Sequence, residues 1–400
     1  MNKKILLLTT IYPAPDLKYG TSAIHYFTRE WIKMGHIVKV IHYQAVYPVF
    51  FYIVAKLFRD IIASRTGSIV FTKRDKLDKR YNLDGVIVDR FPIFKWVPHG
   101  RFSKKVFREQ IAKIIKTNKE DNFVPEIIIG HFSNPQLKIV YELKKIYSAR
   151  TCMIMHDVGN SIMKTYRYNY KQLMSAIDIW GYRSLLIKKG FEKKFGKQER
   201  SFMCYSGIPE KYILQTIDRN FSGRFRRFVY VGEMIQRKYP EALVNAINEV
   251  YTDKDFHITY IGKGGEEQNI KSLINSLKIS DCVSLLRQIS RDEVLKKLDE
   301  SDCMIMISKN ETFGLAYLEA MGRGCITIGS KNEGIDGIIK NGVNGFLCEA
   351  GNASELCEII KKINALTTDE KERISKNAIA TVRELTDFKV AEDYINAVNY

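Results

Sequence analysis

Nowhere in this 400-residue sequence does an apolar run reach the roughly 18–20 residues that a membrane-crossing helix requires. Proline is scarce, at nine residues, and 45% of the chain is hydrophobic against 27% charged, which excludes a disordered or collagen-like polymer. The seven cysteines are odd in number and include no C-x-x-C pair. The seven histidines show no H-x-x-x-H or H-E-x-x-H spacing. Neither a disulfide framework nor a metal site is legible, and a reducing cytoplasmic setting is the expectation. The opening MNKKILLLTTIYPAPD lacks the long apolar region and small-residue cleavage site of a signal peptide. It reads as a first buried strand.

Acidic residues are short in one half only. Residues 1–200 carry 37 Lys and Arg against 16 Asp and Glu, whereas residues 201–400 carry 26 against 29. The net charge of +18 therefore comes from the first half. Such asymmetry predicts an anionic partner there: nucleic acid, a membrane surface or an acidic substrate.

What is present is an alternation of short apolar runs and helical periodicity. Lys4–Thr10, His36–Tyr43, Val86–Arg90, Glu126–Ile129 and Thr151–Met155 read as strands. A helix capped by Thr21 or Ser22 and others over Lys104–Lys116 and Asn134–Tyr147 fall between them. The second half repeats the pattern from Arg227–Val231 onward, with a punctuated boundary at Ser206–Arg226. Two domains are expected, each a doubly wound α/β sheet, with ligands at the carboxyl ends of the strands in a cleft between them. The segment Gln44–Arg80 breaks the rhythm. Its aromatic run AVYPVFFYIVAKLF and basic stretch TKRDKLDKR suit either an interfacial segment or an amphipathic helix buried in the domain.

The strongest local signal is SKNETFGLAYLEAMGRG over Ser308–Gly324, after an apolar strand and with a helix expected to open at Phe313. Free amides at such a helix start favour an anion. Glu311 and Glu319 lie eight residues apart in sequence, roughly 12 Å by the helical rise. That exceeds the roughly 5 Å carboxyl pair of retaining glycosidases and better suits two parts of one long ligand. In FVYVGEMIQRKYP the strand ends at Gly232, and Arg237 and Lys238 place two cations suited to phosphate at its carboxyl end. The turn Gly262-Lys263-Gly264-Gly265 lacks phosphate-loop spacing. Gly20 follows the first strand, where backbone can approach a ligand, and His131 and His156 each end a strand.

Taken in order, the glycine turn at Gly20, GHFSNP, MHD, SGIP, the Arg237–Lys238 loop, ETFGLAYLEAMGRG and NGVNGFL resemble the family 4 retaining glycosyltransferases of GT-B fold. The resemblance spans nearly the whole chain and is most specific around Glu311–Glu319. It implies that Lys238 and Arg237 meet the donor diphosphate, with Arg237 in place of an arginine that the family carries where Glu233 stands here. It implies that Glu311 meets the donor sugar's hydroxyls and Glu319 the ribose, and that the backbone of Phe313, Gly314 and Leu315 meets sugar and phosphate. His156 is placed near the reacting sugar and Gly20 beside the phosphates. Arg287 and Glu333-Gly334-Ile335-Asp336-Gly337 depart from the family pattern.

The domains implied are 1–205 for the acceptor, 206–383 for the nucleotide sugar, and a helix in 384–400 returning to the first domain. The expected activity is metal-independent, retaining transfer of a sugar from a UDP-linked donor. The acceptor is a glycan, free or linked to polyprenyl diphosphate, in surface polysaccharide synthesis such as capsule or lipopolysaccharide. No cofactor is expected. An anionic membrane surface at the inner face is the expected partner of the basic half, through Tyr47–Phe58 and Lys73, Arg74, Lys79 and Arg80. A nucleotide-sugar 2-epimerase and a basic nucleic-acid-binding protein are the alternatives; no nucleic-acid-binding motif is present, and the expectation is no nucleic acid.

Overall fold

Leu6, Leu7 and Leu8 have no exposed surface, because the first strand is covered on both faces. The computed structural model describes residues 2–16, 23–66, 72–97, 100, 102–216 and 219–399, with backbone alone over 59–66. Gly20, Thr21 and Ser22 lie outside the described residues. The chain forms two units. The first is built from Met1–Ala63, Ser68–Tyr205 and Asp387–Tyr400, the second from Ser64–Gly67 and Ser206–Thr386.

In the first unit the elements are β1 (Lys4–Thr9), α1 (Ala23–Lys33), β2 (Ile37–Val46), α2 (Val49–Thr66), β3 (Lys79–Leu83), β4 (Val86–Phe94), α3 (Lys104–Glu120), β5 (Ile127–His131) and α4 (Gln136–Ile146). There follow β6 (Arg150–Met155), α5 (Asn160–Tyr166), α6 (Tyr170–Met174), β7 (Ile179–Tyr182), α7 (Leu185–Phe195) and β8 (Ser201–Met203). The sheet order is β3-β4-β2-β1-β5-β6-β7-β8. All pairings are parallel except β3 with β4. The order reverses between β1 and β5, so the loops after these strands flank the switch point.

The basic stretch before Arg80 is not simply a loop. Its end forms β3, an antiparallel edge strand, and the charges there are paired within the unit. Lys79 reaches Asp16 at 2.8 Å and Asp75 at 2.5 Å. Arg80 meets Asp89 at 2.6 Å and Asp121 at 2.8 Å, where the buried Lys39 also contacts both carboxylates. Lys79 and Arg80 are thus not the free surface cations that the sequence suggested, because an edge strand brings them over acidic side chains of its neighbours.

The second unit contains β9 (Arg227–Val231), α8 (Pro240–Val250), β10 (His257–Ile261), α9 (Glu267–Ser276), β11 (Val283–Leu286), α10 (Arg291–Asp299) and β12 (Cys303–Ile305). It continues with α11 (Leu315–Gly322), β13 (Ile326–Ser330), β14 (Phe346–Cys348), α12 (Ala353–Ala365) and α13 (Thr368–Arg383). Capping boxes at Ser290/Glu293 and Thr367/Glu370 start α10 and α13. The six-stranded order β11-β10-β9-β12-β13-β14 is parallel throughout and has the 3-2-1-4-5-6 connectivity of dinucleotide-binding sheets. Its order reverses between β9 and β12.

The last helix, α14 (Asp387–Asn399), belongs to the first unit and packs on α1. The Trp31 indole N–H donates to the Ala391 carbonyl at 2.9 Å, and the Tyr394 ring stands edge-on to Phe27 and Trp31. No helix among the described residues is long and apolar enough to cross a membrane.

Candidate active site

In the second unit, the loops leaving β9 and β12 meet at the switch point. Their backbones are joined where the Lys309 N–H donates to the Arg237 carbonyl at 2.7 Å. This brings both predicted cations onto one carboxylate: Lys238 Nζ lies 3.4 Å and Arg237 3.8 Å from Glu311 Oε2. Lys238 and Glu311 are largely enclosed, with 12% and 15% of their side chains exposed. An ion pair in that setting is strengthened by partial exclusion of water. The geometry leaves Oε2 without a well-formed hydrogen bond, so the carboxylate retains capacity to accept one from a ligand.

Glycines allow the loops to approach. Gly262 sits at φ 143°, and a Cβ there would lie 2.0 Å from the Gly232 carbonyl oxygen. At Gly264 a Cβ would fall 2.1 Å from the Met234 oxygen. The turn Gly262–Gly265 is therefore a packing device against the loop that carries Arg237 and Lys238.

Helix α11 starts at Leu315, two residues later than the sequence predicts, because Gly314 at φ 85° is its N-cap. A side chain there would strike the Tyr317 ring. Phe313, just before the cap, is buried at 4% exposure. Glu319 is buried within α11 and pairs with Arg291 at 2.8 Å. Burial pushes its carboxyl up to about 7, although the Arg291 guanidinium pulls the other way.

Sequence reasoning missed two participants. Arg291, at the first turn of α10, is the partner of Glu319. Glu333 accepts the Glu311 backbone N–H at 2.9 Å, while the Gly334 N–H donates to the Glu311 carbonyl at 2.8 Å. Gly334 also lies on the Thr312–Phe313 backbone, where a Cβ would be 2.4 Å from the Phe313 nitrogen. The available signal was the unusual Glu333–Gly337 turn itself.

The first unit offers uncharged groups at its strand ends. His131 Nδ1 lies 3.1 Å from His156 Nε2, and the Tyr394 hydroxyl lies 3.2 Å from His131 Nε2. Both histidines are held well below their usual pKa, first by desolvation, so both are neutral. The Phe132 ring stacks on His156 at 3.8 Å between centroids. His131 therefore serves His156 as a buried support. Among the described residues no three His, Cys, Asp or Glu side chains gather as a metal-binding group. The Asp253-Lys254-Asp255 motif is engaged by Arg224 and Arg226 in the turn before β10.

Residues 216–381 match the family model "Glycosyl transferases group 1". The chain is 32% identical over 145 residues to an N-acetyl-alpha-D-glucosaminyl L-malate synthase of Bacillus anthracis, covering 36% of this chain and 37% of that protein. It is 24% identical over 278 residues to the amylovoran biosynthesis glycosyltransferase AmsK of Erwinia amylovora, covering 66% of this chain and 67% of the relative. The Anabaena protein HepE, solved in complex with UDP, superposes with a TM-score of 0.69 at 17% identity over 99% of both chains. The fold is GT-B, with two Rossmann-like domains. Over residues 216–381 the chain is thus similar to the group 1 glycosyl transferases, and along its whole length it shares the fold of solved glycosyltransferases. The match to the malate synthase relative spans little more than a third of that protein's length.

Proposed function

We propose that the protein is a retaining glycosyltransferase that moves a sugar from a UDP-sugar to a glycan acceptor, free or lipid-diphosphate-linked, in surface polysaccharide synthesis. The observation that carries the reading is the convergence of Lys238 and Arg237 on Glu311 at the switch point of the second sheet. The UDP bound by HepE and the polysaccharide role in AmsK's name support donor and pathway class.

In this reading the second unit takes the donor and the first the acceptor. Lys238, Arg237 and the first amides of α11 take the diphosphate. Glu311 exchanges its ion pairs for the sugar's hydroxyls, Glu319 takes the ribose, and His156 serves the sugar. The acceptor oxygen bonds to the anomeric carbon on the face from which the diphosphate leaves. The bond from that carbon to the phosphate oxygen breaks with its electron pair on phosphate, and the acceptor proton passes to that phosphate. Cations already in place stabilise the developing charge without reorganisation. This electrostatic work needs no metal ion, and no cofactor enters the scheme.

The test is product analysis by NMR with a UDP-sugar and oligosaccharide acceptors, in the presence of chelator. A glycoside with the donor's anomeric configuration, formed at undiminished rate, is the expected result. An inverted product, or activity restored only by a divalent ion, overturns the mechanism. Conversion of the nucleotide sugar with no acceptor present favours the epimerase alternative.

A further inference from the structure

Helix α2 exposes the wrong face for a buried amphipathic helix. Among its described side chains, Tyr52 and Ala55 are buried, at 8% and 7%. Phe50, Ile53 and Leu57 follow one another at helical spacing on the opposite side and are exposed by 66%, 57% and 72%. Exposed Val49 and Lys56 flank the stripe. Past Leu57 the helix is interrupted at Phe58, whose backbone is non-helical.

The sheet extends this surface. Val46 at the end of β2 is in register with Phe94 at the end of β4, and the Lys95 N–H donates to the Val46 carbonyl. The residues that follow each strand, α2 and Trp96–Val97, therefore leave the same end of the sheet. Trp96 is 72% exposed and Val97 51%. The Lys95 ammonium lies 4.5 Å over the Phe102 ring. Phe102 and Phe107 wall a neighbouring groove of about 940 Å³ that Lys104 and Arg108 also line. Soluble proteins seldom leave large aromatic and aliphatic side chains exposed side by side unless they have a partner.

We propose that this face docks on an anionic lipid bilayer, with Phe50, Ile53 and Leu57 of α2 entering the headgroup–acyl boundary and Trp96 at headgroup level. Charge complementarity selects this occupant. The half of the chain that carries the face holds 37 cationic against 16 anionic residues, and Lys56, Lys104 and Arg108 lie on or beside the apolar surface. An apolar helical stripe flanked by lysine, with tryptophan beside it, has the composition of an interfacial segment. Lys79 and Arg80, paired within the unit, do not contribute.

The test uses the full chain and does not depend on sugar transfer. The protein is sedimented with vesicles of phosphatidylcholine alone or mixed with phosphatidylglycerol. Binding is expected only to the anionic vesicles at low salt, and release at about 0.5 M salt, where screening shortens to a few ångströms. The triple variant Phe50→Ser, Ile53→Ser, Leu57→Ser, altered at exposed positions, is expected to fold and to bind roughly tenfold or more weakly. Of the three tryptophans, Trp31 and Trp180 are buried, so a blue shift of emission on vesicle addition reports Trp96. Trp96→Phe should abolish the shift while sedimentation persists. Three results overturn the proposal: no sedimentation, sedimentation unchanged in the triple variant, or a wild-type dimer in solution that the triple variant dissolves.

Discussion

The two sheets share a strand order around their switch points but arm those points differently. In the second unit the loops after β9 and β12 carry charges that meet: Lys238 and Arg237 against Glu311. In the first unit the ends of β5 and β6 carry neutral groups, His131 against His156 and Tyr394, with the buried Arg183 after β7 near both imidazoles. Yet the first half of the chain holds the whole net positive charge, and the second half is slightly acidic. Bulk charge therefore does not locate the phosphate-suited site. Much of the excess is solvated or paired, as at Lys39, Arg80, Asp89 and Asp121. A largely enclosed cation at a switch point, as at Lys238, interacts more strongly than exposed ones do.

The largest effect that separates the units is expected at the glycines. Gly262→Ala places Cβ on a neighbouring carbonyl oxygen at positive φ, and a loss of about 3 kcal/mol or more is expected. In the first sheet, Gly130→Ala meets the Met153 sulfur, the flexible part of a side chain, and about 1–2 kcal/mol is expected. Chemical denaturation of both variants checks the order; equal losses would remove the distinction.

Next in size is Lys238→Ala. Loss of one charge-assisted contact costs about 1.5–3 kcal/mol, or roughly ten- to a hundredfold in UDP affinity. Calorimetry on the folded variant measures it. His156→Ala should leave free UDP affinity unchanged, so that a similar loss there would show the neutral group to be part of the nucleotide site.

Glu319 sharpens the comparison through pH. Its folded-state pKa is raised from 4.5 to about 7, so the native state holds this proton more tightly than the unfolded chain. The associated stability is fully present below about pH 4.5 and is lost as pH rises to about 7. Wild type should therefore lose stability relative to Glu319→Gln across that window, and no further above it. Paired melting curves at about pH 5 and pH 8 test the sign; parallel behaviour of the two proteins at both pH values would refute a raised pKa.

The smallest effect is expected at Tyr394→Phe, which leaves the buried His131 Nε2 without its hydroxyl partner. A loss of about 1–2 kcal/mol is expected, measured by denaturant titration. A neutral outcome would mean that the hydroxyl–imidazole contact contributes nothing to seating α14.

Regular elements were legible where local patterns suffice. The bounds of β9 match the expected Arg227–Val231, and the α/β class follows from the alternation. β14, three residues between Gly345 and Glu349, was too short for any pattern, and the polar run Lys79–Leu83 became a strand only because β4 offered an edge. The cluster of Glu311 with Arg237 and Lys238 was legible as a candidate from residue type and position after strands. Arg291 and Glu333 were not, because their roles depend on partners 28 and 22 residues away.

By itself the sequence determined the alternation of strands and helices, the asymmetric charge and the order of the chemically equipped loops, since these depend on local composition and spacing. Tertiary structure decided which of those loops meet and which charges are already paired. It paired Lys79 and Arg80 with aspartates and set Lys238 against Glu311. It also left the face of Phe50, Ile53 and Leu57 uncovered, which periodicity cannot reveal: a helical stripe shows that one face is apolar, whereas sheet order and packing decide whether anything covers it.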